Sequence, residues 1–174
     1  MLKLKGEQLY LRAIEPNDLD FLFELENDTS IWEISGTTAP YSRQILELYL
    51  QNAYKDIYEA KQLRLCICDF ADKVIGLIDL FDFDPGNKKV GLGIIVSEKK
   101  NRNKGIGAEA LTLVCDYAFN ILDVHQVYAN VIVSNMASIH LFEKLNFKVV
   151  GVKKDWIFAN GTYRDEILYQ KINN

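Results

Sequence analysis

The chain has 174 residues, 49% of them hydrophobic and 25% charged, with a formal net charge of −4. That length and apolar content suit one domain, residues 1–174, around one sizeable core. No apolar run approaches the roughly 20 residues that cross a bilayer, and Met1 to Lys5 lacks a leader-like apolar stretch. The net negative charge argues against a nucleic-acid partner, so a cytoplasmic protein acting on neither nucleic acid nor membrane is expected.

Gln8 to Ile14 alternates Leu9, Leu11 and Ala13 with larger or polar neighbours and reads as a first strand; Pro16 then suits the first turn of a helix reaching about Asn27. Asp28 to Pro40 is polar and reads as a loop. Tyr41, Ile45, Leu48, Tyr49 and Asn52 recur at helical spacing and predict a second helix to about Glu59. Gln62 to Asp69 and Lys73 to Phe83 are rich in Ile, Leu, Phe and Val, and Asp-Pro-Gly-Asn at 84 to 87 turns into Val90 to Val96, which makes three antiparallel strands. From Gly105, Leu111, Val114, Cys115, Ala118 and Leu122 fall at steps of three and four, the period of a helix to about Asn120. Gln126 to Val133 is a further strand, and Asn135 to Leu145 a helix capped by Asn135 or Ser134. Phe147 to Phe158 and Thr162 to Ile172 form a closing hairpin around Asn160-Gly161. The order is β-α-α-β-β-β-α-β-α-β-β, an α/β (α+β) arrangement in three layers. Only the strand-helix-strand step around residues 105 to 125 requires parallel pairing.

Cys66, Cys68 and Cys115 are odd in number, lie in apolar segments and lack C-x-x-C spacing. They read as reduced, buried thiols, and no metal is expected.

The sign of the charge reverses locally at Lys99-Lys100-Asn101-Arg102-Asn103-Lys104, directly after a strand and directly before Gly105-x-Gly107 and a helix. Free amides at a helix start, glycines that let the backbone approach a ligand, and basic side chains together suit a pyrophosphate. The plain alternative is a solvated basic turn. No Gly-Lys-Ser/Thr follows for a P-loop, and Gly91-x-Gly93 sits within a strand where a dinucleotide fingerprint needs a turn. Those two glycines read instead as a bulge or a close approach.

Arg102, Gly105 and Gly107 match Arg/Gln-x-x-Gly-x-Gly/Ala, the acetyl-CoA signature of the GNAT N-acetyltransferase superfamily, which the chain resembles. Asn135-Met-Ala-Ser-Ile-His-Leu-Phe-Glu-Lys-Leu-Asn-Phe147 is similar to that family's Asn-x-x-Ala/Ser-x-x-x-Tyr-x-Lys-x-Gly-Phe segment, and the tail from Phe158 to Asp165 resembles the closing hairpin of its spermidine and ribosomal-protein N-terminal acetyltransferases. The resemblance implies a three-layer fold with a mixed sheet of about seven strands and a splayed central pair, at 90 to 96 and 127 to 133. It implies acetyl-CoA as co-substrate. Main-chain groups of Ile94, Ile95 and Val96 would pair with the pantetheine arm. Arg102, Asn103, Lys104, Gly105, Ile106, Gly107 and Ala108 would hold the pyrophosphate. Asn135 would bond the arm from the other side, with Ser138 and Phe142 of the same segment in the cofactor-binding set. An N–H near Ile95 would stabilise the oxyanion.

Two positions depart from the family. Phe142 stands where a tyrosine usually protonates the departing thiolate, and Gly91 where many relatives carry a glutamate base. Tyr128 or Tyr163 are substitutes for the former, and Asp79, in an apolar strand nearby, is the candidate base through a carboxylate of raised pKa; Asp82 reads as a solvent-facing edge charge. His125 and His140 read as solvated structural residues. Glu24, Glu26, Asp28 and Glu33 are either an acidic approach for a cationic acceptor or a solvated helix face. The acceptor is then a small-molecule amine such as a polyamine, or a protein N-terminus. Self-association is left open. An acetyl-CoA-binding sensor with little transferase activity is the alternative that Phe142 and Gly91 raise.

Overall fold

The computed structural model describes residues 4–97 and 105–173. Its strands are β1 (Leu9–Ala13), β2 (Leu63–Asp69), β3 (Val74–Asp84), β4 (Lys89–Val96), β5 (Gln126–Ile132), β6 (Lys148–Ala159) and β7 (Thr162–Ile172). They form one sheet in the order β1-β2-β3-β4-β5-β7-β6, antiparallel throughout except where β4 meets β5. The helices are α1 (Leu19–Glu26), α2 (Trp32–Ser35), α3 (Arg43–Gln51), α4 (Ile57–Ala60), α5 (Ile106–Asn120) and α6 (Met136–Lys144).

Alternation along the strands sorts side chains into two cores. Leu9, Leu11, Leu65, Ile67, Ile78, Leu80, Val90 and Leu92 pack with Ala110, Leu111 and Val114 of α5 and with Phe142 of α6. Residues of the opposite parity, Cys66, Cys68 and Leu77, pack with Leu22 and Leu25 of α1 and Leu46 and Leu50 of α3. A sheet buried on both faces between helices is the three-layer architecture expected. All three cysteines are free and buried; burial pushes the Cys66 and Cys115 thiols up to about 12.

Two elements differ from the sequence expectation. The helix predicted from Tyr41 to about Glu59 is two: Ser42 caps α3, Asn52 turns its amide back onto the Leu48 carbonyl, and Asp56 caps α4 by accepting from the Glu59 amide. Asn and Asp bond to nearby backbone, which competes with helix continuation and outweighs the apolar period here. The stretch expected to be loop contains a 3-10 turn (Thr29–Ile31) and α2, closed by Gly36 in the left-handed region, φ 72°. Trp32 anchors it by donating from Nε1 to the Glu26 carbonyl at 2.9 Å.

Parallel pairing of β4 with β5 runs only from Lys89↔Gln126 to Gly91↔Tyr128. Beyond that point β5 stays paired with β7 as far as Ile132↔Glu166, and β4 stays paired with β3 as far as Val96↔Gly76. The sheet therefore opens into a seam between 92–96 and 129–132, as the splayed pair predicted.

Candidate active site

Which β4 amides face the seam follows from two hydrogen bonds. Ser97 N donates to the Ile75 carbonyl of the β3 side at 2.9 Å, whereas the Lys88 carbonyl accepts from His125 N at 2.7 Å on the β5 side. In an extended strand successive residues address opposite neighbours. Odd-numbered residues of β4 thus address β3, and even-numbered ones address β5 and, past residue 91, the seam. Ile95, expected to supply the oxyanion donor, instead spends its amide in the sheet opposite Leu77. The donor facing the seam is one residue earlier, at Ile94.

On the α5 side of the seam lies a cavity of about 390 Å³, lined by Ile94, Ile95 and Val96, by Gly105, Gly107 and Ala108, and by Asn135, Ser138 and Leu141 of the α6 segment. Gly105 opens α5 with φ 83°, a left-handed conformation that favours glycine, and no side chain caps the helix. The amides of 106 to 108 consequently precede the first intrahelical bond, Glu109 N to the Gly105 carbonyl at 2.9 Å, and leave a positive helix end for an anion. Gly107 packs closely: a Cβ there would lie 3.1 Å from Cδ2 of Leu141, which would have to shift by a few tenths of an ångström. Ile106 turns its side chain into the core, so only its main chain serves the site. Arg102, Asn103 and Lys104 lie outside the described residues. Asn135 caps α6, its Oδ1 accepting from Ser138 N at 3.2 Å, which leaves its amide N–H groups for a ligand.

On the opposite face lies a second cavity, of about 550 Å³, whose charged lining residues are Glu26, Asp79, Glu166 and Arg64, three carboxylates against one guanidinium. Arg64 stands across from Asp79 in the β2–β3 register and grips it with Nε–Oδ1 and NH2–Oδ2 contacts of 2.7 and 2.9 Å, while NH1 reaches Glu26 Oε1 at 2.8 Å. Burial alone would lower the Arg64 pKa, but Asp79 and Glu26 more than offset it and keep the guanidinium charged. Asp79 is thereby corrected as a candidate base: each of its oxygens accepts a charge-assisted bond from Arg64, and taking an amine proton would weaken that ion pair. Arg64 lies 5.6 Å from the ring centre of Tyr49, whose hydroxyl pKa is raised by burial.

Gly91 has a structural explanation. Phe81 stands opposite it in the β3–β4 register, and a Cβ at 91 would fall 2.3 Å from Cε2 of that ring. Phe81 fills the space a longer side chain at 91 would need and lines the acidic cavity. Phe142, 3% exposed, is stacked on Tyr169 at 5.9 Å and meets Phe147 edge-on at 5.0 Å. It lines the acidic cavity and not the one beside α5, which corrects its place in the cofactor-binding set. Neither substitute tyrosine lines either cavity: Tyr128 packs edge-on against Phe81 at 6.0 Å, and Tyr163 is exposed beside Phe158 on the hairpin. The acids of the first helix divide. Glu26 enters the cavity, Glu33 approaches Arg164 at 3.6 Å, Asp28 caps the 3-10 turn, and Glu24 is exposed. His140 lines the α5-side cavity with an exposed side chain, and Asp82 is exposed at a bulge with φ 49°. Arg64, Phe81 and Glu166 were missed in the sequence. The signal available was Arg64 within the largely apolar β2 and Phe81 at the same parity as Asp79 in β3; the polar β7 gave none for Glu166. Among the described residues no group of three or more His, Cys, Asp or Glu is placed to hold a metal ion.

A parted β4–β5 pair with an anion-binding helix start on one side and an acidic cavity on the other is the architecture of an acyl-transfer protein using a phosphate-bearing donor. The chain belongs to the GNAT acetyltransferase family, whose Acetyltransferase (GNAT) domain description matches residues 8–148, and it is an N-acetyltransferase. It is 31% identical over 162 residues to a spermidine N(1)-acetyltransferase of Vibrio cholerae serotype O1, covering 92% of this chain and 90% of that protein. It is 29% identical over 160 residues to the spermidine N(1)-acetyltransferase of Escherichia coli strain K12, covering 90% and 82%. Among solved structures, the spermidine N-acetyltransferase from Vibrio cholerae in complex with CoA and spermine superposes with a TM-score of 0.86 at 28% identity, covering 96% of each chain.

Proposed function

We propose that the protein transfers the acetyl group of acetyl-CoA to a primary amine of a polyamine. The observation that carries this is the meeting of the two cavities: both are lined by Ile34, Ile94, Ile95, Asn135 and Ser138, so a thioester entering from α5 reaches an acceptor held among Glu26, Asp79 and Glu166. Glu26 and Asp79 share Arg64, and Glu166 meets Lys153 at 2.5 Å, so the three carboxylates outnumber their cations by one, an excess that favours a polycation over a peptide that also brings carboxylates. The pyrophosphate would rest on the start of α5, with residues 102 to 104 contributing, and the arm would run along the β4 edge to Asn135.

At neutral pH a polyamine nitrogen of pKa about 10.4 carries a deprotonation handicap of roughly 4 to 5 kcal/mol. With Asp79 committed to Arg64, that proton leaves through water in the acidic cavity. The free amine attacks the thioester carbonyl, and the Ile94 N–H meets the developing oxyanion. Calorimetry with CoA and a release assay for free CoA, run on spermidine, spermine and an N-terminal peptide, test the reading. Turnover is expected with the polyamines. Tight CoA binding without CoA release from any amine would favour the sensor reading that Phe142 raises.

The proposal also covers a cytoplasmic, single-domain enzyme spanning residues 1–174 and assembling with copies of itself. All seven described strands belong to one sheet, and the outer strand β6 leaves Val149, Val150, Val152, Trp156 and Phe158 exposed. An unpaired, apolar edge of that length favours association. Analytical ultracentrifugation is expected to give a mass above 20.0 kDa.

A further inference from the structure

We propose that Lys153 selects among polyamines: it neutralises Glu166 at the β7 end of the acidic cavity and so withholds that carboxylate from a second ammonium of the acceptor. The inference rests on the polyamine reading above. Lys153 stands opposite Glu166 in the β6–β7 register, and Glu166 stands opposite Ile132 in the β5–β7 register. Paired residues project to one face of a sheet, and Asn130, two positions before Ile132, projects to the same face. That face carries the acidic cavity, which Asn130, Ile132 and Glu166 all line. Lys153 Nζ is 2.5 Å from Oε1 of Glu166 and 3.0 Å from Oδ1 of Asn130, and it lies 4.9 Å from the ring centre of Trp156. Two oxygens and an aromatic face thus hold the ammonium. With side chains 29% and 12% exposed, the Lys153–Glu166 pair is screened less than a surface pair. Lys153 does not itself line the cavity, so its charge acts there through Glu166 and Asn130.

The two ends of the cavity consequently differ in charge. Glu26 and Asp79 share the single guanidinium of Arg64, which leaves one negative charge uncompensated at that end. At the other end Glu166 and Lys153 cancel. The reacting nitrogen attacks as free base, so a diamine brings one remaining ammonium, spermidine two and spermine three. The ammonium of a diamine is matched at the Arg64 end. Further ammoniums of a longer acceptor find no uncompensated carboxylate among the cavity's charged lining residues as long as Lys153 holds Glu166.

Steady-state kinetics with acetyl-CoA and putrescine, spermidine or spermine test this on K153M, K153R, E166Q and K153M/E166Q. Methionine keeps an unbranched stem and removes the charge. K153M is expected to lower the ratio of spermine KM to putrescine KM about 5- to 10-fold, the size of one charge-assisted contact partly screened by solvent, with spermidine between. K153R keeps the cation and should preserve the wild-type ratio. E166Q tests the same point without relying on the folding of K153M: it should raise the ratio, because Lys153 then bears an uncompensated charge beside the acceptor. In the E166Q background K153M should no longer bring the ratio below the wild-type value, since the carboxylate it would free is gone. CoA affinity by calorimetry should stay within about twofold throughout. A merely structural Lys153 would alter stability, or kcat for all three acceptors alike, and leave the ratio in place. The assignment is overturned if K153M leaves the ratio unchanged, if K153R lowers it as much, if K153M/E166Q falls as far as K153M, or if E166Q lowers it. CoA release with none of the three amines overturns the polyamine reading and this assignment with it, whereas turnover with an unshifted ratio overturns the assignment alone.

Discussion

The two cavities that meet at Ile94 and Ile95 are built from different materials. The α5-side cavity is made largely of main chain and small residues, Gly105, Gly107 and Ala108, with two residues of one helical turn, Asn135 and Ser138. Its acidic counterpart is made of side chains from α1, β2, β3 and β7, with Glu26 and Arg64 separated by 38 positions yet joined at 2.8 Å. Backbone geometry written into a short segment tolerates change elsewhere in the molecule. A charge network gathered from distant strands depends on every element that places it. The α5-side cavity is therefore local, and the acidic one is a property of the whole sheet.

Breaking the network gives the largest expected effect. R64A leaves Glu26 and Asp79 facing each other without compensation. Loss of one partner from a buried pair costs about 3 to 5 kcal/mol, and with side chains here 17 to 22% exposed we expect about 2 to 3, read as a shift in urea midpoint, while CoA affinity remains unchanged. A fall in CoA affinity equal to the stability loss would show that the two cavities are one unit. The converse change, G107V, puts methyl groups against Leu141. Overpacking of about 1 to 3 kcal/mol should appear as a lowered urea midpoint, and the displaced α5 start as weaker CoA binding by calorimetry, with polyamine KM little altered.

On the acidic side, G91E collides with Phe81 and is expected to cost about 1 to 2 kcal/mol of stability. F81A should relieve this, and a double-mutant cycle would give a coupling of about 1 kcal/mol between the two sites. Additive losses would mean that Phe81 does not replace the longer side chain. Acid titration gives the smallest effect. Burial by itself would raise the Asp18 carboxyl, but its two bonds to Arg12 and one from the Glu15 amide outweigh that and hold it below the ordinary carboxylate range. A depressed carboxyl stabilises the fold above the ordinary range, and that contribution is lost as pH falls through its own lowered pKa. D18N should therefore flatten the acid limb of stability against pH, measured by thermal melting, with CoA binding at neutral pH unchanged.

Much of the fold could be read directly. Period-two runs at β2, β3 and β4, the Asp-Pro-Gly-Asn turn, the helical spacing from Leu111 to Leu122 and the Asn160-Gly161 hairpin each fell within a residue or two of the observed elements. The misreading of residues 41 to 59 as one helix came from local competition, because Asn52 and Asp56 bond to backbone more strongly than an apolar stripe holds the helix together. Asp79 was found but misjudged, since the sequence does not show that Arg64, fifteen positions earlier, stands opposite it. Ile95 was named in place of its neighbour Ile94 for a similar reason: strand parity is plain in the sequence, but which parity faces the seam depends on where the neighbouring strands pair.

The sequence by itself determined the seven strands in chain order, the start of α5 after Gly105, the cap at Asn135 and the absence of a hydroxyl at residue 142, because each depends on one residue and its near neighbours. Only the tertiary structure decided that β4 and β5 part after Gly91, that Phe81 fills the space beside it, that Arg64 claims Asp79, and that Ser138 stands where the cavities join. Those facts depend on register and packing between strands and helices far apart in the chain, and local propensity carries no information about such distances.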